Sequence, residues 1–270
     1  MDFKLPLRPE ESNKGTFGRV LNIAGSDYMP GAAYLSSVSA LKIGCGYCFL
    51  ASTERVINAV ASQTQNIVFL PLKEIKKQKP DVISIGCGLT TSHNAQGLFK
   101  EVIKYFKDIP IIIDADGLNI LAKNNVKLPE NTILTPHPKE AARLLNTDIN
   151  QILKDLEGAA NQISQKYNCT TVLKSHNTIV CSKNLDIYIN KTGNSALAKA
   201  GSGDVLTGMI SGLVAQKMDL YEAAKLGVYL HGLCGELASK KLTKYSVMAD
   251  DLISFIPEAI NTLLPENSCN

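Results

Sequence analysis

The eight residues PIIIDADG at positions 110–117 indicate the fold more clearly than any other stretch of this sequence. Pro110 is followed by three isoleucines, and the apolar run ends abruptly at Asp114. An unbroken apolar run is typical of a strand that is buried on both faces, whereas a strand with one wet face alternates apolar and polar residues. Positions 110–113 are therefore predicted to form a central strand, and positions 114–117 the polar turn at its carboxyl end.

The same pattern recurs on both sides of this stretch. Strands that alternate with helices form a mainly parallel sheet with helices on both faces, which is an α/β fold. Ligands of such sheets bind at the carboxyl ends of the strands, so the polar turns are expected to lie at one binding edge. Apolar runs predict further strands at 20–24, 47–51, 82–85 and 132–135, and helical spacing predicts helices at 32–43, at 94–106 and after Pro138.

The pattern changes in the C-terminal half. Short apolar runs separated by turns predict a short antiparallel meander at the edge of the sheet, with strands at 171–174, 178–181 and 186–189. Three helices are predicted after it, at 203–216, 220–240 and 248–263. No linker, low-complexity segment or internal repeat is visible, so we expect one domain over 1–270, with 1–13 as an N-terminal extension.

The composition excludes some classes of partner. The chain has 270 residues, 45% of them hydrophobic, and a formal net charge of +3. That charge is too small to indicate binding to nucleic acid or to an anionic membrane. No segment approaches the ~18 consecutive apolar residues of a membrane helix, and the first residues lack a signal-peptide core. We therefore expect a cytoplasmic protein with neither partner.

The seven cysteines are expected to be buried thiols. Their number is odd, and most lie in apolar runs, which argues against a disulfide framework. Cys45 and Cys48 have the spacing of a redox pair, but the first cysteine of such a pair normally opens a helix. Here the pair follows a predicted helix and enters a strand, so the structural interpretation is favoured.

The decapeptide KAGSGDVLTG at 199–208 carries the clearest chemical signal. Backbone amides at a helix N-terminus form an anion site, and glycines let a phosphate approach closely. Asp204 lies in the first helical turn, where it could cap the helix or act on a hydroxyl near the phosphate, and one aspartate can do both. The turn lacks the ending of a Walker loop, and Gly25 is not followed by the remaining glycines of a dinucleotide fingerprint.

Several segments, taken in order, resemble the ADP- or ATP-dependent NAD(P)H-hydrate dehydratase family of the ribokinase-like superfamily. The GSGD turn alone would indicate the superfamily, whereas DADGL and TPHPxE are specific to this branch. The resemblance covers almost the whole chain, from Lys14 to Ile260. The segments are KGTFG (14–18), GS with PGAA (25–26, 30–33), GCGL (86–89), DADGL (114–118), TPHPKE (135–140), and NS leading to GSGDVLTG (194–195, 201–208).

The resemblance implies a metabolite-repair enzyme, a carbon–oxygen lyase with a ribokinase-like fold. Members use ADP or ATP, with Mg²⁺, to phosphorylate the hydroxyl of hydrated NADH or NADPH. Elimination of the phosphate then restores the coenzyme and releases AMP or ADP, and bacterial members prefer ADP. The resemblance also implies a homo-oligomer, with a tetramer typical, and an NAD(P)HX epimerase that is a separate protein.

The resemblance also assigns residues. It implies that Asp204 contacts the substrate hydroxyl and is the catalytic base. No protein ligand is assigned to the metal, because Mg²⁺ is usually held by nucleotide oxygens and water. The substrate-binding residues it implies are Ala32, Ala33, Gly88, Asp116, His137 and Asp204, and the nucleotide-binding residues are Lys174, Ser175, His176, Asn177, Thr178, Asn194, Gly201, Ser202 and Gly203.

Some of these residues have a second interpretation. His137 could be a turn histidine satisfied by backbone groups, and Asp116 could belong to an Asx turn that caps the following helix. Ser175 replaces the glycine that is usual in the family, and Cys87 replaces a proline. His93 is expected at the start of a surface helix and His231 as a helix-packing residue.

Two other functions are compatible with the GSGD turn. A ribokinase-like kinase for a small alcohol, such as a vitamin precursor, would leave a stable phosphorylated product. A nucleotide-sensing protein would not need Asp204. The DADGL and TPHP segments argue against the kinase, and the intact Asp204 argues against the sensor.

Overall fold

A computed structural model of the chain describes residues 3–124 and 126–264. One nine-stranded sheet runs through it in the order β3-β2-β1-β4-β5-β6-β7-β8-β9. Neighbours from β3 to β7 are parallel, and β8 and β9 add antiparallel strands at one edge. The strands are Arg19–Ile23 (β1), Tyr47–Ser52 (β2), Val68–Pro71 (β3), Val82–Ile85 (β4), Ile111–Ile113 (β5), Thr132–Leu134 (β6), Thr170–Leu173 (β7), Ile179–Cys181 (β8) and Ile187–Ile189 (β9).

Ten α-helices in the described residues flank the sheet, together with short 3₁₀ helices at Leu72–Lys77 and Ser195–Leu197. The predicted fold class, a mainly parallel α/β sheet with a C-terminal antiparallel meander, is confirmed. The α-helices are Pro30–Lys42 (α1), Glu54–Ala61 (α2), His93–Tyr105 (α3), Asp116–Lys123 (α4), Pro138–Leu145 (α5), Ile149–Lys154 (α6), Leu156–Tyr167 (α7), Ser202–Ala215 (α8), Leu220–Ser246 (α9) and Ala249–Asn261 (α10).

The central strands are buried on both faces, as their unbroken apolar runs predict. Ile112 points into the core formed with α1, α8, α9 and α10, whereas Ile111 and Ile113 point into the core that contains Phe99 of α3 and Ile163 of α7. All three isoleucines are 0% exposed. Since successive side chains of a strand face opposite sides of the sheet, both faces of β5 must be covered by helices.

The strand order reverses between β1 and β4. The chain runs outward from β1 to β3 and then returns to place β4 on the other side of β1. The connections that leave the carboxyl ends of β1 and β4 therefore diverge and open a crevice, which is where ligands bind in open α/β sheets. The turns after β4 and β5 lie at this edge.

Some elements were absent from the sequence-based prediction. Strand β3 lies at the sheet edge, where its apolar residues are only partly buried, and its run ends at Pro71, a residue that central strands exclude. Helices α2, α4, α6 and α7 were also not assigned. Helix α9 continues beyond the predicted end at residue 240 and contains non-helical backbone at Thr243.

Helix α8 packs so closely on α1 that Gly208 has no room for a side chain. A Cβ atom at Gly208 would lie 2.0 Å from Ser39 Oγ and 2.1 Å from the carbonyl oxygen of Ser36. We expect Gly208→Ala to lower the free energy of unfolding by about 2 kcal/mol or more, because the helices must separate. Urea unfolding measures the change.

The matched control is Gly97→Ala, at a glycine on the exposed face of α3 with nothing within 4 Å of a Cβ position. It is expected to raise stability by roughly 0.5–1 kcal/mol, because alanine is the better helix former. Equal stability of the Gly208→Ala protein and the wild type would contradict the close packing of α8 on α1.

The N-terminal residues 3–13 contain no helix or strand. Phe3 nevertheless packs against the rings of Tyr188 and Tyr229, with centroid distances of 5.9 and 4.6 Å. Within residues 3–124 and 126–264, no helix combines the length and apolar character that crossing a membrane requires.

Candidate functional site

A cavity of about 860 Å³ opens at the carboxyl edge of the sheet, between the turns after β6 and β7 and the start of α8. It brings together chain segments that are far apart in sequence. Helix α9 and the 190–199 segment close its other side. Its lining includes His137, Lys174, Ser175, His176, Thr178, Asn194, Lys199, Ser202, Gly203, His231 and Lys244.

Helix α8 begins at this cavity without a side-chain cap. Gly201 is its N-cap residue and has a φ of +89°, a left-handed conformation that favours glycine. A Cβ at Gly201 would also meet Leu35 Cδ1 at 2.6 Å, and one at Gly203 would lie 3.4 Å from Lys174 Nζ. The first-turn amides of a helix have no intrahelical acceptors and carry partial positive charge, so this end of α8 can bind an anion.

Asp114 connects three elements below the cavity. Its Oδ1 lies 2.6 Å from Lys174 Nζ at the end of β7, and its Oδ2 accepts a hydrogen bond of 2.7 Å from Thr207 Oγ1 in α8. The Asp114 side chain is only 2% exposed. Burial opposes the charge on Lys174, but the attraction of Asp114 and Glu140 outweighs it and raises the pKa of the ammonium. Lys174 is therefore a fixed positive charge at the α8 N-terminus.

Asp204 lies beside this ion pair, half-buried in the first turn of α8. A carboxylate oxygen of Asp204, one of Asp114 and the Cys87 sulfur lie within 4.8 Å of one another. Burial, followed by the negative charge of Asp114, raises the pKa of Asp204 to about 6. A carboxyl group with this pKa is ionised at neutral pH, and it is a stronger base than an ordinary aspartate.

The three clustered side chains do not form a cage for a metal ion. Asp114 is already bonded to Lys174 and Thr207. Burial raises the pKa of the Cys87 thiol well above its usual value, so the sulfur stays protonated. Mg²⁺ takes oxygen ligands and keeps several waters, so this site fits an ion that is held mainly by nucleotide phosphates, with the Asp204 carboxylate nearby.

His137 caps a helix and also lines the cavity. It caps α5, because its Nδ1 accepts hydrogen bonds from the amides of Lys139 and Glu140 at 3.1 and 3.2 Å. The Glu140 carboxylate accepts from the His137 amide at 2.8 Å, which completes a capping box. Burial and then Lys174 lower the pKa of the ring, so neutral His137 carries its proton on Nε2. His137 also lines the cavity.

Glu140 is, like Asp114, an acidic residue that is nearly inaccessible to solvent, at 5% exposure. Burial raises its pKa to about 7, although Lys174 acts in the opposite direction. Its carboxylate holds the turn that contains His137, so its contacts account for it as a structural group.

Ala32, Gly88 and Asp116 lie beside the cavity, at the crevice where the strand order reverses. Gly88 has a φ of +63°, and a Cβ there would lie 2.9 Å from the Cβ of Ala32. Ala32 is half-buried at this position, whereas Ala33 is 0% exposed and packs beneath Gly25. Of the two alanines proposed for substrate binding, Ala32 alone has a side chain that reaches the surface.

Asp116 fixes the turn before α4. Its Oδ2 accepts a hydrogen bond of 2.7 Å from the amide of Thr90 and thereby joins the turns after β4 and β5. Ala115, between the two aspartates, has a φ of +48°. Such backbone is strained in a residue with a side chain, and strain of this kind concentrates at functional sites.

The 174–178 segment forms a tight turn at the cavity. Ser175 Oγ donates to the carbonyl of Asn177 at 2.8 Å, and Thr178 Oγ1 donates to the carbonyl of Ser175 at 3.3 Å. Ser175, His176 and Thr178 line the cavity, whereas Asn177 is exposed at the tip of the turn.

The wall formed by residues 190–194 is bonded to α9 along several helical turns. Asn190 Nδ2 donates to the carbonyl of Val228 at 3.3 Å, and Thr192 Oγ1 to that of Tyr229 at 2.8 Å. Glu236 Oε1 accepts from the Gly193 amide at 2.8 Å, and Asn194 Nδ2 donates to Ser239 Oγ at 2.9 Å. This loop is therefore ordered by the fold itself.

The sequence predicts His231 to be a helix-packing residue, and the structure adds a polar contact. Its Nε2 lies 3.1 Å from Ser202 Oγ, and the ring lines the cavity. The two residues are 29 positions apart in the sequence, and no local pattern predicts that they are in contact. His93 lies exposed at the start of α3 as predicted, Cys45 and Cys48 are buried free thiols, and Cys269 lies outside the described residues.

Comparison with known proteins connects this geometry to one family. Residues 20–258 match the family described as NAD(P)H-hydrate dehydratase. The ADP-dependent (S)-NAD(P)H-hydrate dehydratase of Neisseria meningitidis is 39% identical over 85% of this chain and 80% of that protein. The Bacillus subtilis protein of the same name is 34% identical over 94% and 92%.

Solved structures agree with the sequence comparison. An ADP/ATP-dependent NAD(P)H-hydrate dehydratase from B. subtilis, co-crystallised with ATP/Mg²⁺, superposes with a TM-score of 0.89 at 32% identity and covers 96% of this chain and 95% of that one. A hydroxyethylthiazole kinase from Pyrococcus horikoshii has the same fold, with a TM-score of 0.66 at 14% identity over 92% of each chain.

Proposed function

Because this chain belongs to the NAD(P)H-hydrate dehydratase family, we propose that its cavity holds an adenine nucleotide and that Asp204 acts on the hydroxyl of hydrated NAD(P)H next to it. The enzyme is a nucleotide-dependent NAD(P)H-hydrate dehydratase, with Mg²⁺ as cofactor. The observation that carries the assignment of roles is that Lys174 and the first residues of α8, Ser202 and Gly203, line one part of the cavity, while Asp204 lies next to the Lys174–Asp114 pair.

The reaction requires a base and an anion site side by side. The substrate hydroxyl loses its proton as its oxygen bonds to the terminal phosphorus of the nucleotide, and the bond from phosphorus to the bridging oxygen breaks. AMP leaves from ADP, or ADP from ATP. The phosphate ester is then eliminated together with the neighbouring ring proton, which restores the C=C bond of NAD(P)H. Phosphate leaves more readily than hydroxide, which explains the use of a nucleotide.

The residues divide between these tasks. Asp204 takes the hydroxyl proton, for which its raised pKa suits it. Lys174 and the amides of Gly203 and Asp204 hold the transferring phosphate, and preorganised donors of this kind stabilise developing charge. Mg²⁺ supplies further neutralisation of the phosphate oxygens.

The two ligands occupy neighbouring parts of the edge. Cavity-lining residues of the 174–178 turn and Asn194 lie on the side expected to take the nucleotide. Ala32, Gly88 and Asp116 lie in the crevice on the other side of Asp204, where the dinucleotide substrate is expected. His137 lines the cavity, and we expect its Nε2–H to donate to the substrate.

The test is an absorbance assay with prepared NADH hydrate, Mg²⁺ and either ADP or ATP. We expect the absorbance of reduced nicotinamide to return only when a nucleotide is present, with one AMP or ADP and one phosphate released per NADH. A stable phosphorylated product without return of the absorbance would contradict the dehydratase and indicate the kinase alternative.

The pH dependence of the reaction is a prediction in its own right. Asp204 must be ionised to accept a proton, and its pKa is about 6. We expect kcat/KM to be constant above neutral pH and to fall tenfold per pH unit below about 6, since this parameter reports groups of the free enzyme. An ordinary aspartate would keep full activity to a lower pH.

Glu140 is the control for this profile, because burial raises its pKa to about 7. In Glu140→Gln, kcat/KM is expected to fall below about pH 6 as it does in the wild type. If kcat/KM no longer falls at acidic pH in that variant, Glu140 rather than Asp204 is the titrating group.

We also propose a homotetramer in the cytoplasm that works with a separate NAD(P)HX epimerase. The exposed Ile187 and Ile189 of edge strand β9 support contact between copies. A bifunctional NAD(P)H-hydrate repair enzyme of Moorella thermoacetica is 35% identical over 97% of this chain, which corresponds to 53% of that protein. Light scattering of the purified protein tests the tetramer.

A further inference from the structure

Two short contacts join His231 and Ser202 inside the cavity. The Nε2 atom of His231 lies 3.1 Å from Ser202 Oγ and 3.0 Å from the Ser202 carbonyl oxygen. His231 and Ser202 are 8% and 5% exposed, and both residues line the cavity. Ser202 is the first residue of α8 and His231 lies in α9, so the contact joins the two helices where the phosphate site begins.

The carbonyl contact determines which ring nitrogen carries the proton. A carbonyl oxygen can only accept a hydrogen bond, so Nε2 must be the donor. Burial is the main cause that lowers the pKa of His231 to about 4, and Lys174 acts in the same direction. The ring is therefore neutral at pH 7 and has a single N–H group, which lies at Nε2.

This tautomer sets the direction of the Ser202 hydroxyl. The shared Nε2–H is also within reach of Ser202 Oγ, which then acts as the acceptor. Its own proton is not used in that contact, and no acceptor for it exists within residues 3–124 and 126–264. A buried hydroxyl without an acceptor is costly, so a ligand in the cavity is the natural partner for this proton.

We propose that His231 is a positioning residue that holds the Ser202 hydroxyl in the rotamer that donates to a phosphate oxygen of the nucleotide. The proposal rests on the proposed function, since it requires the phosphate to lie at the start of α8. His231 does not contact the phosphate and acts through Ser202. The phosphate would then have three kinds of donor: the amides of α8, the Lys174 ammonium and the Ser202 hydroxyl. A hydrogen bond to a charged acceptor such as phosphate is stronger than one between neutral groups.

Four variants test this role: His231→Leu, His231→Gln, Ser202→Ala and the double variant His231→Leu/Ser202→Ala. Leucine fills the space without a donor, whereas the amide of glutamine places an N–H near the position of Nε2. Calorimetry gives the dissociation constants of ADP and of adenosine, which has no phosphate. Steady-state assays give KM and kcat for each substrate.

We expect His231→Leu and Ser202→Ala each to weaken ADP binding about tenfold, the loss of one hydrogen bond to a charged group. Adenosine binding and the KM for hydrated NADH should stay within twofold. The double variant should be no weaker than Ser202→Ala, because residues that act through one contact are not additive. His231→Gln should recover most of the ADP affinity.

Different results would overturn the proposal. Losses that multiply in the double variant would show that His231 acts independently of Ser202. Unchanged ADP affinity in His231→Leu would show that its role is confined to packing. Long-range nitrogen NMR spectra of the ring that place the proton on Nδ1 would remove the tautomer on which the proposal depends.

The control variant is Cys234→Ala, at a residue of the same helix that is 0% exposed and does not line the cavity. It is expected to lower stability without changing ADP affinity. A wild type that binds ADP but does not restore NADH contradicts the proposed function. A wild type that restores NADH while His231→Leu binds ADP normally contradicts the role of His231 alone.

Discussion

Replacing Asp204 with asparagine is expected to lower kcat by about 10³-fold, or roughly 4 kcal/mol of barrier, with the fold retained. Asparagine has nearly the same shape as aspartate but cannot accept the hydroxyl proton. Asp204 also adds negative charge near the phosphate site, where Lys174 lies 3.4 Å from the Cβ position of Gly203. The affinity for ADP should therefore be unchanged or higher. Recovery of nicotinamide absorbance and calorimetric titration with ADP measure the two effects.

The control for this variant is Asp219→Asn. Asp219 caps α9 by accepting hydrogen bonds from the amides of Tyr221 and Glu222, and it does not line the cavity. Its replacement is expected to cost about 1 kcal/mol of stability or less and to leave kcat unchanged. If Asp204→Asn loses stability but keeps kcat, Asp204 contributes only to stability, as an acidic residue in the first turn of α8, and the proposed base is wrong.

Replacing Lys174 with methionine is expected to have the second-largest effect, on both stability and binding. The substitution leaves Asp114 buried without its positive partner, which typically costs about 3–5 kcal/mol. It also removes the ammonium group from the phosphate site, so ADP affinity should fall. Thermal or urea unfolding gives the first effect, and calorimetry the second.

Adding Asp114→Asn to the Lys174→Met protein separates the two effects. The second change removes the unpaired buried charge, so stability should return in part while ADP affinity stays low. Lys217→Met is the matched control, because Lys217 pairs with Asp81 at the surface, and its loss is expected to cost less than about 1 kcal/mol. Equal costs for the two lysines would show that Asp114 does not depend on Lys174.

The central strands were predictable because burial of both their faces requires an unbroken run of apolar residues, which is visible in the sequence. Positions 110–113 have to be apolar when helices cover both faces, and the chain has to become polar where the strand leaves the core. The α8 turn was predictable for a related reason, since Gly201 occupies backbone that favours glycine. The resemblance then supplied the chemistry, and the family it indicated is confirmed.

Contacts between distant segments could not be predicted in this way. Lys174 and Asp114 are 60 residues apart, and each has an ordinary local reason to be polar, since both follow a strand. Only the order of the strands brings them together. The contact of His231 with Ser202 depends on how α9 lies against α8, which local periodicity does not specify.

The bonds that join residues 190–194 to α9 also affect the thermodynamics of binding. Fixing the backbone of one residue costs roughly 1–2 kcal/mol of conformational entropy. This wall gives up that freedom when the chain folds, because Asn190, Thr192, Gly193 and Asn194 already have partners in α9. A nucleotide that enters the cavity meets a surface in its final conformation, so little of its interaction energy is spent on ordering the loop.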